Sequence, residues 1–320
     1  MSSSAPAKGL TISDLHLGQV GSEGHHHLCQ LTGQLKTLRP AQIYLNGDTI
    51  EVANLKGTRQ QILQKLDRMI PVLEGFIKEA VAQNPSVKIH YIFGNHDVYR
   101  DLEERVQQLQ QKYPQNLSLH ESHVKTANAI HLHGDLQVDF PYLSNKEHLK
   151  AGFIKRNITT QMGLMKREEH VGDKTQPLSH TDSQWHRVQD RTGWHQRVLS
   201  EKVTFAKNVL DTTVSPRVMS LDKVVRTIYD TIKAHEPELL ENTQYVLLGH
   251  YHPPGKPMIE HQGIQFIFTG PSTILKNGPA YSYDIDAQGS FSNFQPIELK
   301  RHISSLFRTF DGAKQPPSRQ

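Results

Sequence analysis

The chain has 320 residues, enough for one large domain or for a domain carrying a substantial insertion. A hydrophobic content of 36%, 21% charged residues and a mean hydropathy of -0.56 describe a water-soluble globular protein, and no stretch approaches the roughly 18 consecutive apolar residues a membrane-spanning helix needs. A formal charge of +4 is too slight a surplus to argue by itself for nucleic acid or an anionic membrane, and a single cysteine, Cys29, excludes an intrachain disulfide and suggests neither oxidising export nor a thiolate zinc site.

The opening MSSSAPAKG lacks the apolar centre of a secretory signal, so a cytoplasmic location is expected. Short apolar runs ending in small or polar clusters predict strands at Leu10–Ser13, Gln42–Asn46 and Lys88–Phe93. Between the second and third, Ile62, Leu66, Ile70, Leu73, Ile77 and Val81 recur at helical spacing, and Pro71 among them predicts a kink or a helix pair. A further strand is expected at Ala129–His133. From about Phe140 to Glu241 the apolar runs give way to a histidine- and charge-rich stretch of helical periodicity. Its clearest helix carries Leu221, Val224, Val225, Ile228 and Ile232, with Ser220 as N-cap. Strand signals return at Tyr245–Leu248, Gln265–Thr269 and Tyr281–Ile285, punctuated by Gly263, Gly278 and Gly289, and they call for a second sheet packed on the first. The alternation gives an α/β layered core over residues 1–139 and 242–310, a helical insertion or lid over 140–241, and a disorder-prone tail over 311–320.

Five polar clusters follow five of these apolar runs: Ser13-Asp14-Leu15-His16-Leu17-Gly18, Asn46-Gly47-Asp48, Gly94-Asn95-His96-Asp97, His131-Leu132-His133-Gly134-Asp135 and Gly249-His250-Tyr251-His252. Open α/β sheets bind ligands beyond the carboxyl ends of their strands, so loops far apart in sequence converge there. Carboxylate oxygens, imidazole nitrogens and a carboxamide oxygen without thiolates suit borderline divalent ions. Each cluster alone reads better as a polar turn or simple loop; the ordered series makes the argument. The 20 histidines fit it, since histidine is the commonest metal ligand.

The series resembles the calcineurin-like metallophosphoesterase superfamily, whose motifs run DxH, GD, GNHD, H and GHxH, over Leu10 to His133 and Tyr245 to about Asp286. The resemblance implies a four-layer αββα sandwich with an inserted helical cap. It implies Asp14, His16 and His252 on one metal, Asn95, His133 and His250 on the other, and Asp48 bridging them. His96 would approach the phosphate or the leaving-group oxygen, and Asp97 would orient His96. Two ions about 3.5–4 Å apart clamp a phosphate and turn water into a nucleophile near neutral pH. Manganese is the preferred metal, with iron or zinc as alternatives.

Within the superfamily the chain is similar to the UDP-2,3-diacylglucosamine pyrophosphatase-like branch. The similarity rests on ISDLHLG, on Glu51 three residues after Asp48, and on His133-Gly134-Asp135 followed by Asp139 and a helical stretch. It differs in carrying His96 where the best-known members have arginine, and in Gly270-Pro271-Ser272. The GDxxDRG and GNHE of protein phosphatases are absent. The implied function is hydrolysis of a phosphodiester or pyrophosphate bond in a phosphorylated small molecule or a lipid-linked nucleotide. A nuclease acting on nucleic acid is the second reading and an inactive metal-binding scaffold the third.

Three smaller features carry two readings each. Arg100 reads as a phosphate-binding residue or a surface ion pair, and His25-His26-His27 as the rim of the site or a solvated loop. Phe153, Ile154, Ile158, Met162 and Met165, beside Lys150, Lys155, Arg156, Lys166 and Arg167, read as a helix on the core or as a lid touching an acyl chain or a membrane surface.

Overall fold

A computed structural model of the protein describes residues 6–18, 24–52, 59–97, 99–135, 221–251, 258–270, 280–297 and 299. In chain order the first elements are β1 (Ala7–Ile12), α1 (Gly24–Leu38), β2 (Gln42–Asn46), α2 (Arg59–Gln83), β3 (Lys88–Ile92), α3 (Arg100–Lys112), β4 (Leu117–His120), β5 (His123–Lys125) and β6 (Ala129–Leu132). After residue 220 come α4 (Leu221–His235), a 3-10 turn (Pro237–Leu240), β7 (Tyr245–Leu248), β8 (Met258–His261), β9 (Ile264–Phe268), β10 (Ala280–Ile285) and β11 (Phe291–Ile297).

The strands form two sheets, ordered β11-β10-β1-β2-β3-β4 and β5-β6-β7-β9-β8. In the first, β1 to β4 run parallel, with β10 antiparallel to β1 and β11 to β10. In the second, β6, β7 and β9 run parallel between antiparallel edges.

Strand alternation sets the layers. Leu10 and Ile12 of β1, Ile43 and Leu45 of β2, and Ile89 and Tyr91 of β3 belong to one core with Leu28, Leu31 and Leu35 of α1, Leu66, Leu73 and Ile77 of α2, and Leu102 and Val106 of α3. The opposite face of that sheet turns Tyr44, Tyr281, Tyr283 and Phe291 toward Leu247 and Ile267 of the second sheet. The far face of the second sheet, with Ile130, Leu132, Val246, Leu248, Phe266 and Phe268, is covered by Val224, Val225, Ile228 and Ile232 of α4. The result is helices, sheet, sheet, helix: the four-layer αββα sandwich.

Three expectations change, the first in only one of its two alternatives. One helix runs through Pro71 from Arg59 to Gln83, so there is no helix pair; Leu66, Met69, Leu73 and Ile77 on both sides of the proline pack into one core, which outweighs its missing N–H. Helix α4, assigned from its sequence position to the inserted stretch, is a layer of the core, because its four apolar side chains face the second sheet. The greater part of the stretch 140–241, including Phe153 to Met165 and their basic neighbours, lies outside the described residues, as does the tail 311–320. His25 to His27 belong to α1, where His27 is buried, and are not a loop; Cys29 is exposed on the same helix. Among the described residues no helix is long and apolar enough to cross a membrane.

Candidate metal centre

The loops after β1, β2, β3, β6 and β7 leave the two sheets at one end. The first two continue side by side past their strands: the Asp14 N–H donates to the Gly47 carbonyl at 2.9 Å, His16 N–H to Asp48 at 2.8 Å, and Leu17 N–H to Thr49 at 3.0 Å. Asp14, His16, Asp48 and His250 all have left-handed backbones, with φ of 53°, 44°, 51° and 62°. Side chains other than glycine rarely take this region, and such residues persist where surrounding structure over-determines them. Here the paired loops do so, and the Asp14 carboxylate itself accepts the His250 N–H at 3.1 Å. Gly94 is required for a different reason: a β-carbon there would collide with the backbone and carboxylate of Asp48.

Six of the seven expected ligands are brought together. The donor atoms of Asp14, His16 and Asp48 lie within 4.8 Å of one another, and so do those of Asp48, His133 and His250. Asp48 belongs to both groups: its Oδ2 is 3.9 Å from His16 Nε2 and 3.1 Å from His133 Nε2. The Asn95 Oδ1 joins the second group, 3.1 Å from His133 Nε2. His252 lies outside the described residues, as does the side chain of Arg100 at the start of α3.

Glu51 is the residue that sequence reasoning missed as a member of the site. Fully buried, it receives His16 Nδ1 at 3.1 Å and His96 Nδ1 at 2.8 Å on the same carboxylate. Its position three after Asp48 was the available signal, read only as a family mark. Its carboxylate occupies the role expected of Asp97. Asp97 instead accepts the backbone N–H groups of Thr49, Ile50 and Gly94 at 3.2, 2.8 and 2.9 Å and the Tyr91 hydroxyl at 3.1 Å. It ties the Asp48 loop to the Asn95 loop and is not the partner of the His96 ring.

Charge in this buried cluster is balanced internally. Burial works to raise the Asp48 carboxyl, but the imidazoles of His133, His96 and His16 outweigh it and hold the group well below the usual range. Burial likewise opposes ionisation of Glu51, which the hydrogen bonds from His16 and His96 bring down to about 2. Burial would lower His133 and His96, yet Asp48 and its neighbours raise them to about 10 and about 9. Burial and the charge of Asp48 push Asp97 up to about 6, against the backbone donors of Gly94 and Ile50.

In the metal-free protein the protons on His133 and His96 therefore offset the buried carboxylates. Metal cations would take over that balance, and the oxygen and nitrogen donors suit borderline divalent ions. The residues fit two ions: Asp14, His16 and Asp48 for one, and Asp48, Asn95, His133 and His250 for the other.

The sequence matches no model of a known protein family and no curated protein. Among solved structures it is similar to a dimetal phosphatase from Danio rerio, at 11% identity and a TM-score of 0.43, covering 93% of this chain and 100% of that one. At that identity and overlap the likeness decides neither fold nor chemistry.

Proposed function

We propose that the protein is a hydrolase of phosphate esters that works with two divalent metal ions, and that it belongs to the metallophosphoesterase superfamily its motifs resemble. The observation that carries this reading is the carboxylate of Asp48, buried and shared between two groups of metal-ligating side chains. A shared anion is what two neighbouring cations require, because its charge offsets their repulsion. Bound there, the ions would polarise a phosphoryl oxygen and activate water near neutral pH.

The chain's own side chains supply the rest. Glu51 is ionised, so it accepts Nδ1–H from both His16 and His96; His16 thereby presents Nε2 to the donor group. In the metal-free protein Asp48 and Glu51 outweigh burial and raise His96 to about 9; its side chain is 20% exposed, and with Nδ1 on Glu51, which still favours the protonated ring once ions neutralise Asp48, its Nε2 would carry the proton for the departing oxygen.

We take a phosphodiester or pyrophosphate as the substrate class. The finer reading, a UDP-sugar or UDP-lipid, gains nothing from Glu51, whose carboxylate serves the site's own histidines and not a substrate.

The test is elemental analysis of protein prepared without chelator, with turnover of bis-p-nitrophenyl phosphate, p-nitrophenyl phosphate, UDP-sugars and single-stranded DNA under manganese, iron, zinc and magnesium. Two ions per chain and turnover of a diester or pyrophosphate are expected. One ion with full activity would sink the two-metal reading, and preference for single-stranded DNA would move the protein to the nucleases.

A further inference from the structure

Asn46 ends β2, immediately before Gly47 and Asp48, and no motif assigns it a role. It is fully buried, and its side chain crosses from the first sheet to the second. There Nδ2 donates one hydrogen to the carbonyl of Leu132, the residue before His133, and the other to the carbonyl of Leu247, three residues before His250; both bonds are 2.9 Å. The backbone carbonyl of Asn46 accepts from His133 Nδ1 at 3.1 Å. One residue thus touches the bases of two ligands on the second sheet and adjoins the loop of a third.

The chemistry of these contacts is directional. A carbonyl only accepts, so His133 keeps a proton on Nδ1 toward Asn46; Nε2, which carries the second proton toward the oxygens of Asp48 and Asn95 in the metal-free protein, is the nitrogen an ion would claim. The amide of Asn46 has one orientation as well, since reversing it would set its oxygen against two carbonyl oxygens. In that orientation Oδ1 is buried without a hydrogen-bond partner among the described residues. An unsatisfied buried acceptor is unfavourable, so the two donor bonds, not the fit of the amide as a whole, account for this residue. Gly249 closes the arrangement: a β-carbon there would sit 2.6 Å from His133 Nδ1 and 2.7 Å from the Asn46 carbonyl.

We propose that Asn46 is the positioning residue of the second ion. It fixes the tautomer of His133 and sets the loops of His133 and His250 against Asp48 across the gap between the sheets. The proposal rests on the two-metal reading above and adds that the two ions depend differently on this residue. The Asp14–His16 group stands on the first sheet and does not use the Asn46 amide.

The experiment is titration of the chelator-stripped full-length protein with Mn(II), followed calorimetrically, for the wild type, Asn46→Ala, Asn46→Ser, His250→Ala and Val246→Ala. His250→Ala identifies which binding step belongs to the second group. Val246→Ala is a truncation in β7 within the core between the second sheet and α4, and controls for lost stability. Asn46→Ala should weaken the step that His250→Ala removes by about 10–100-fold, the usual effect of losing a partner behind a metal ligand, and leave the other step unchanged. Asn46→Ser, keeping one donor, should fall between. The Co(II)-loaded protein should lose one set of visible absorption bands in parallel. Equal weakening of both steps, no weakening, or the same differential loss in Val246→Ala overturns the inference. So does failure of both Asn46 variants to fold while Val246→Ala folds, which would mark Asn46 as purely structural. Uptake of fewer than two ions by the wild type would refute the two-metal reading instead.

Discussion

Replacing Glu51 by glutamine keeps size and burial and changes only what the group can accept. The carboxylate receives Nδ1–H from His16 at 3.1 Å and from His96 at 2.8 Å. Both Nδ1 atoms lie on Oε2, with His96 also 3.0 Å from Oε1, so a carboxamide can keep its one oxygen before both rings but sets its NH2 against the Nδ1–H of His96 and carries no charge. His96 then loses the anion that helps keep it protonated, and His16 keeps only a neutral acceptor behind its Nε2. A hydrogen bond to a charged group contributes about 1.5–3 kcal/mol, which corresponds to roughly 10–150-fold. Glu51→Gln should therefore lower kcat by that factor through His96, or weaken one metal by a similar factor through His16. The pKa of His96, about 9 in the metal-free protein, should fall, because Glu51 is one of the groups that raise it. The assay is the pH dependence of kcat with alkyl and aryl phosphodiesters at saturating metal, beside a metal titration. Wild-type turnover, metal affinity and pH profile together in Glu51→Gln would refute the assigned role.

His96→Ala should leave both ions bound and slow turnover about 10²–10⁴-fold for an alkyl leaving group, the usual range for general acid catalysis, and less for p-nitrophenolate. Equal losses with both leaving groups would mean that His96 positions the phosphate instead. A separate effect is expected in acid. His90 stacks on Tyr44, 4.6 Å between ring centroids, and burial, with His120 and Lys88, pushes it down to about 4. Unfolded imidazoles take up protons below about 6.5 while the folded His90 does not, so its contribution is present above that pH and is lost as pH falls toward 4. In chemical denaturation of the metal-free protein, His90→Phe should flatten the decline of stability between those values by up to one proton's worth of slope; an unchanged slope would show that His90 is not the group responsible.

What could be read from the sequence follows from where a residue sits in its sheet. The interior strands announced themselves because their flanking layers demand apolar side chains: Ile43 and Leu45 of β2 pack against the helices while Tyr44 packs between the sheets. The four strands left unpredicted, β4, β5, β8 and β11, are the four sheet edges, and their sequences LSLH, HVK, MIEH and FSNFQPI are partly exposed and mix polar with apolar residues in equal numbers. The candidate ligands could be singled out because each follows an interior strand in a recognisable cluster. Glu51 and Asn46 were not, although both flank Asp48, because their work lies in contacts across loops and sheets. For Asp97 the reverse held: the family resemblance implied that it orients His96, but three backbone N–H groups and the Tyr91 hydroxyl hold its carboxylate. Helix α4 shows the same limit, since its apolar stripe identified a helix without telling which surface it covers.

The candidate ligands come from both sheets, Asp14, His16, Asp48 and Asn95 from the first and His133 and His250 from the second. Neither sheet alone holds a complete second set, so a chain whose halves have formed but not joined offers such an ion only part of its coordination. An ion that recognises the joined form alone draws the equilibrium toward it in proportion to its free concentration. Metal supply in the cell would then govern how much of the newly made polypeptide reaches its finished state, as well as how fast the finished molecules turn over. Starved of metal, the protein would accumulate with the seam between its sheets more readily opened, and the aromatic layer of Tyr44, Tyr281, Tyr283 and Phe291 would be the surface laid bare to aggregation or proteolysis.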